Sequence, residues 1–499
     1  MKIITLPVRF SRNIVRKAFL NPIVIKELRQ TVRSQYLLSI VFSCLFLQLL
    51  VSGIYLSNSD LIIDAARGAG SSLFAFLFGV LGFVSCVFIP VYILARLGRE
   101  RSGYNLDFLY VTTLTPGAIV RGKFFSSLIV SLMLFSLSAP FLTLTYFLRG
   151  ISLPVIFMSL YILFLVNALL IQGSIFFGSL FAPNRKFYRI QTVLFALIVA
   201  ACAFFFFNFG VRGFFRHSGY FFNIKTMVLW ATGIFVMIYS FSYACSVSLL
   251  MPGSTNKSLP VRVTFTVIWI ANGIIAGIFA LAKSKSEIIE IWAIPSLVFL
   301  GLLLLWVVSE RESPGPRLRK SIPVKLLKRL AVSPFFTGSA NGIIWIFILG
   351  IMTVVCCFLF IPSFASSEGG RRILVFILYV SAYSLTGAYI RRKLFGDKIP
   401  YYQTWAIVLI LMGFVVIIAL VVSFLREIEV GSDDSQILFL PTAIAAVFLE
   451  YEYINLGLIF GLTWFAAALL INFSWFVQRL KDFRRESLTD EKGISPIPD

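Results

Sequence analysis

Twelve apolar runs, each close to the length that crosses a bilayer, constrain this chain more than any other feature. A membrane-spanning helix needs about 20 mostly apolar residues. In the first half the runs are Tyr36–Leu56, Leu73–Ala95, Phe124–Phe147, Val155–Phe181, Ile190–Phe209 and Thr226–Met251. In the second they are Val263–Ala282, Ile291–Val308, Ile343–Ile361, Ile373–Tyr389, Thr404–Leu425 and Asn455–Val477. With 59% hydrophobic and only 13% charged residues, the side chains outnumber any core a water-soluble globule could build around them. The expected fold class is an all-α polytopic membrane protein of about twelve transmembrane helices. All six cysteines (Cys44, Cys86, Cys202, Cys245, Cys356, Cys357) fall inside apolar runs, so they read as small core residues and not as a disulfide framework.

Lysine and arginine set the orientation. With the N-terminus inside, the inner segments hold 34 of the 44 basic residues, while the acidic residues divide evenly between the two sides. The net charge of +22 is therefore a topology signal, placing both termini in the cytoplasm, and not a nucleic-acid footprint. One short apolar stretch, Ile437–Leu449, contains Pro441 and runs into Glu450 and Glu452; it is too short to span and reads as a re-entrant segment before the last span.

The basic start is not a cleavable signal peptide, because no long apolar run begins before Tyr36. Apolar residues recur there at near-helical spacing among lysines and arginines, which predicts an amphipathic helix lying in the membrane interface beside anionic headgroups. The segment 99–123 is equally distinctive. It mixes charge, the turn signal Thr115-Pro116-Gly117, and a short run in which Leu106, Leu109 and Tyr110 share a helical face with Asp107 off it. The loop after the eighth span opens similarly, Glu310-Arg311-Glu312-Ser313-Pro314-Gly315 against Arg99-Glu100-Arg101-Ser102-Gly103, and each is followed by a second amphipathic stretch. A 6+6 arrangement is preferred on this basis. The chain accordingly divides into an N-terminal helix (1–35), a first six-span half (36–258) with its loop at 96–123, a second six-span half (259–478) with its loop at 309–341, and a cytoplasmic tail (479–499).

Catalytic chemistry is sparse. The single histidine, His217, leaves no paired-histidine metal motif, and no phosphate-cradling loop of the GxxxxGK type occurs. The polar residues at depth are neutral (Gln48, Asn167, Gln172, Asn272 and Asn472), whereas ion-driven carriers need ionisable groups within the bilayer. The energy source is expected outside the chain. Glu450 and Glu452, at the predicted outer mouth of the last span, are the nearest to intramembrane acids.

The stretch Asn21-Pro22-Ile23-Val24-Ile25-Lys26-Glu27-Leu28-Arg29, just before the first span, resembles the entry motif of membrane permeases of the type-2 ABC exporter family. The loop with Glu100, Gly103, Leu106, Leu109, Thr115-Pro116 and Gly122-Lys123 is similar to that family's loop after the second span. The resemblance covers about the first 150 residues. It implies that the chain has no ATP site or cofactor of its own and that ATP and Mg are bound by a separate ABC ATP-binding subunit. Glu100, Gly103, Leu106, Leu109 and Pro116 would form the coupling helix that rests on this partner, and Asn21, Pro22, Glu27 and Arg29 would shape the entry helix. The family also has a re-entrant segment before its last span, matching Ile437–Leu449. Its members commonly have six spans and work as dimers, so a twelve-span chain leaves open whether a second permease chain is required. The expected function is a non-enzymatic permease subunit of a bacterial inner-membrane exporter. The alternative is an ATP-independent carrier or flippase, and a membrane enzyme acting on lipid-linked substrates through Asp433, Asp434, Glu450 and Glu452 ranks below both.

Overall fold

A computed structural model describes residues 22–57, 69–102, 115–148, 151–180, parts of 193–201, 224–283, 287–312, 315–361, 364, 368–429, 441–442 and 451–484. The described residues are helical and irregular, without strands, as a bilayer demands of a chain whose backbone polar groups must be satisfied internally. Eleven of the helices are long and apolar enough to cross a membrane, which makes this an all-α polytopic membrane protein. The fifth expected span, Ile190–Phe209, lies largely outside the described residues. The chain divides into two compact units, Met1–Met251 and Pro252–Asp499.

The first unit begins with α1 (Pro22–Val32), whose buried residues Ile23, Val24, Glu27 and Thr31 form one stripe while Lys26, Arg29 and Arg33 are exposed. Proline at its first position loses nothing, since that N–H has no helical acceptor. The spans follow as α2 (Gln35–Ser57), α3 (Ala69–Phe83), α4 (Ile89–Ser102), α5 (Pro116–Phe147), α6 (Leu153–Leu180) and α7 (Ile224–Leu250). A π-helical turn, Val84–Phe88, joins α3 to α4 in one continuous span just ahead of Pro90. Proline lacks the N–H that would bond four residues back and crowds that carbonyl, and a π turn is one of the few ways a helix absorbs the defect. Leu73, Leu77, Leu81, Leu134, Leu163 and Ile171 are among the buried residues of this unit's core.

Two helix boundaries differ from the hydropathy reading. The third span starts at Pro116 and not at Phe124, because Thr115 caps it, accepting a hydrogen bond from the Ala118 N–H at 3.3 Å, with proline in the first turn. Pro116 therefore stands in the first turn of a membrane span. At the other flank α4 continues to Ser102, so Glu100 lies on the helical extension of the second span and not in a free loop. Helix propensity among arginine and glutamate residues carries the helix past the apolar run that sequence inspection uses as its limit.

The second unit contains α8 (Ser258–Lys283), α9 (Glu287–Val308), the short α10 (Pro316–Lys320) and α11 (Leu326–Val332), then α12 (Ser339–Phe360), α13 (Glu368–Ile390), α14 (Thr404–Glu429) and α15 (Tyr451–Asp482). Close approach is carried by glycine at several crossings. A Cβ on Gly461 would lie 2.9 Å from the Tyr379 ring, and one on Gly342 would lie 2.3 Å from Val307 Cγ1 and 2.5 Å from Arg262 Nη2. In α8 a Cβ on Gly273 would lie 2.9 Å from the Trp292 ring, whereas Gly277, one turn on, has open space. The Cys side chains that are described are free thiols, buried or half-buried within helices. Pro441 of the expected re-entrant stretch accepts a hydrogen bond from the Tyr383 hydroxyl at 2.6 Å, and most of that stretch lies outside the described residues.

Gly342→Ala should lower stability by about 1–3 kcal/mol through overpacking, whereas Gly277→Ala should be neutral or slightly stabilising. Thermal unfolding of the two variants in the same detergent checks this, and equal midpoints would show that α12 has room to move away from α8 and α9.

Candidate functional site

The charged residues that are buried in the first unit converge on α1. Glu27 turns inward from the helix, and its two carboxylate oxygens are divided between two cations: Oε1 accepts from Lys123 Nζ at 2.8 Å, and Oε2 pairs with Arg96 Nη2 at 2.8 Å. The three side chains retain 7%, 9% and 14% of their exposure for Glu27, Lys123 and Arg96 respectively. Arg96 also donates to the Thr31 hydroxyl at 2.7 Å and to the Gln30 side-chain oxygen, while the Thr31 hydroxyl donates to the Glu27 carbonyl at 2.7 Å. Thus one face of α1, with Glu27 and Thr31 a helical turn apart, grips both arms of the neighbouring hairpin.

The positions of the two cations give this contact its meaning. Arg96 lies on α4 near the end of the second span, and Lys123 lies two turns into α5 at the start of the third. Glu27 therefore fastens the helix that precedes the first span to both flanks of the 99–123 connection. A small cleft, partly open to the surroundings, lies against the cluster. Ile40, Phe88, Ile93 and Val130 line its apolar part and Tyr36 and Tyr92 stack across it, ring centroids 5.3 Å apart.

The second unit holds a chemically inverse arrangement. Arg262, in the second turn of α8 and fully buried, donates to Glu310 Oε2 at 2.5 Å and to the carbonyls of Pro334 and Phe336 at 2.7 Å each. Glu310 follows the end of α9 and also accepts from the Gly338 N–H at 3.1 Å. Gly338 has φ +143°, a conformation that side chains with a Cβ rarely adopt, and it leads directly into α12. Here a cation is the hub, and it ties the start of one span to the end of the next and to the approach to a third. Two residues on, Glu312 pairs with Arg391 and with Arg479 Nη2 at 2.5 Å, gathering the ends of α13 and α15. The Arg392 guanidinium lies 3.8 Å over the Trp475 ring and donates to Asn472.

Among the expected site residues, Glu27 is the one held in buried ion pairs. Arg29 is exposed at the last turn of α1, Pro22 starts that helix, and Pro116 starts α5. Asn21, Gly103, Leu106, Leu109 and Glu450 lie outside the described residues, as do Asp433, Asp434 and His217. Glu100 falls in α4 and Glu452 in the first turn of α15. Arg96, Lys123, Arg262, Glu310 and Glu312 were not singled out as site residues. For Arg96 and Lys123 the sequence holds one signal: Glu27 is the sole acid among the first 35 residues, and a lone acid in a basic stretch invites the question of what it neutralises. Among the amides along the spans, Gln48 donates to the Ser138 hydroxyl at 3.0 Å and Gln172 to the Ser246 hydroxyl at 3.1 Å. Among the described residues no cluster of His, Cys, Asp or Glu could hold a metal ion. Searches against protein-family models, curated proteins and solved structures find no match for this chain.

Removing one member of a buried ion cluster costs about 3–5 kcal/mol, because the partners stay buried without compensation. Glu27→Ala should therefore release α1 from the unit, making the 22–33 stretch the first site of protease cleavage in lipid nanodiscs. Replacing Glu27, Arg96 and Lys123 together by apolar residues of similar size should restore most of the protection. Equal cleavage of all three proteins would mean the cluster holds nothing in place.

Proposed function

We propose that this multi-pass membrane protein is the permease subunit of an ATP-driven exporter of the type-2 ABC kind, powered by separate ATP-binding subunits that carry the ATP and Mg. The observation that carries this reading is the bridge from Glu27 to Arg96 and Lys123. A chain that receives mechanical work from a soluble partner needs its membrane-surface helix and its loop between spans to move as one body. A desolvated carboxylate shared between the two flanks of that loop supplies the stiffness. Force applied at 99–123 is passed to α1 and to the second and third spans together, instead of being absorbed by a flexible connection.

The basic excess on one side supports an orientation with both termini in the cytoplasm of a bacterial cell, so that the loop faces the compartment where ATP is found. The described spans carry their buried charges near helix ends, at Lys123, Arg262 and Arg371, and neutral amides at depth. This supports an energy source outside the chain over an ion-gradient carrier, which requires titratable groups along the path.

The test is co-purification in mild detergent from the native host. A P-loop ATPase should accompany the chain, and helix-breaking changes at Glu100 or at Leu106 and Leu109 should release it without preventing membrane insertion. Glu27→Ala should keep the ATPase bound but lose substrate-stimulated hydrolysis. Absence of any ATPase from a folded, natively expressed preparation would end the exporter reading and turn attention to a gradient-driven carrier.

A further inference from the structure

We infer that the segment 315–338 of the second unit is an inner-leaflet anchor that beds its leucines among anionic phospholipid headgroups. The inference stands independently of the exporter reading.

The segment leaves and re-enters the unit at one membrane face. It follows α9 and precedes α12, and the ends of those two spans are held together by the Gly338 N–H on Glu310 and by Arg262, which grips both sides. It is also fixed against the unit itself. Ile322, Phe336 and Phe483 are buried in one cluster with Leu318 and Val332 beside them, the Phe336 and Phe483 rings meeting edge to face at 5.3 Å. The segment is thus held in place at the level where the spans end, and it cannot swing free.

What it presents from that position is amphipathic. Successive helical residues turn by about 100°, so Leu326, Leu327 and Leu330 occupy the arc of α11 opposite Val332, the residue that packs inward. Those leucines are 59%, 84% and 51% exposed, and Val324 just before them is 70% exposed. Between Gly315 and Gly338 there are six Lys and Arg and no Asp or Glu. Lys325, Lys328 and Arg329 beside a leucine arc, held within reach of the bilayer surface, complement a negatively charged headgroup layer. Leucines enter the acyl boundary and the flanking cations meet phosphate.

The test uses the full chain in lipid nanodiscs, with the photocrosslinker p-benzoylphenylalanine replacing Leu327. A second protein carries it at Leu359, an exposed residue near the end of α12, as the insertion control. In discs containing phosphatidylglycerol, position 327 should give abundant lipid adducts by mass spectrometry. Changing Lys325, Lys328 and Arg329 together to Gln should cut those adducts roughly tenfold, with the Leu359 adducts unchanged. The inference is overturned if Leu359 labels lipid and position 327 does not, if the charge changes leave the 327 adducts intact, or if native membranes yield only protein adducts at 327.

Discussion

Charge removed from water has to be answered by charge, and the described structure is organised around the places where that happens. Glu27 lies between Arg96 and Lys123 with almost no solvent around it. Desolvating three ions is unfavourable in itself, and their attraction repays it only when the geometry is tight and the remaining hydrogen-bonding positions are filled. Here Thr31 and Gln30 fill those of Arg96. Such a cluster contributes little to net stability compared with an apolar replacement, but it fixes which surfaces meet. That is what a helix lying at a membrane surface requires, since lipid offers it many nearly equivalent resting positions.

The same logic organises the second unit with opposite polarity. Arg262 is a cationic hub answered by one carboxylate and backbone carbonyls, and Glu312 is an anionic one answered by two arginines. Each hub joins residues that are far apart in sequence and lie at the ends of different spans. The apolar surfaces of the spans bring helices together, as with Tyr379 and Gly461, without specifying much about their ends. The ion clusters supply that specification where the chain leaves the hydrocarbon.

How much of this could be read from residues alone follows from the range of each interaction. Spans are local: length and apolarity determine them, and the eleven described ones fall on the expected runs. Their termini were less legible, because Thr115 and Pro116 start a helix by capping chemistry that an average over apolar residues does not register. Glu27 was visible as a single acid in a basic stretch, yet its partners Arg96 and Lys123 are some 70 and 96 residues away. Nothing in local pattern could choose them from among the other cations. Arg262 was harder still, since most of its acceptors are backbone carbonyls, which every residue possesses. The expectation of a coupling role for Gly103, Leu106 and Leu109 rests on resemblance to a family, and for the two leucines also on the helical face they share with Tyr110.

The π turn at Val84–Phe88 bears on this arrangement in another way. A π turn accommodates one residue more than the α register, so everything after it is rotated about the helix axis by roughly 100° relative to an uninterrupted helix. Arg96 lies two to three turns beyond it. The angular phase that aims this guanidinium at Glu27 is therefore written into the middle of the membrane and not at its surface. A single-residue deletion within this turn would leave the span nearly as hydrophobic as before and its length nearly unchanged, yet would turn Arg96 toward a different neighbour. For this span residue count matters as much as residue type.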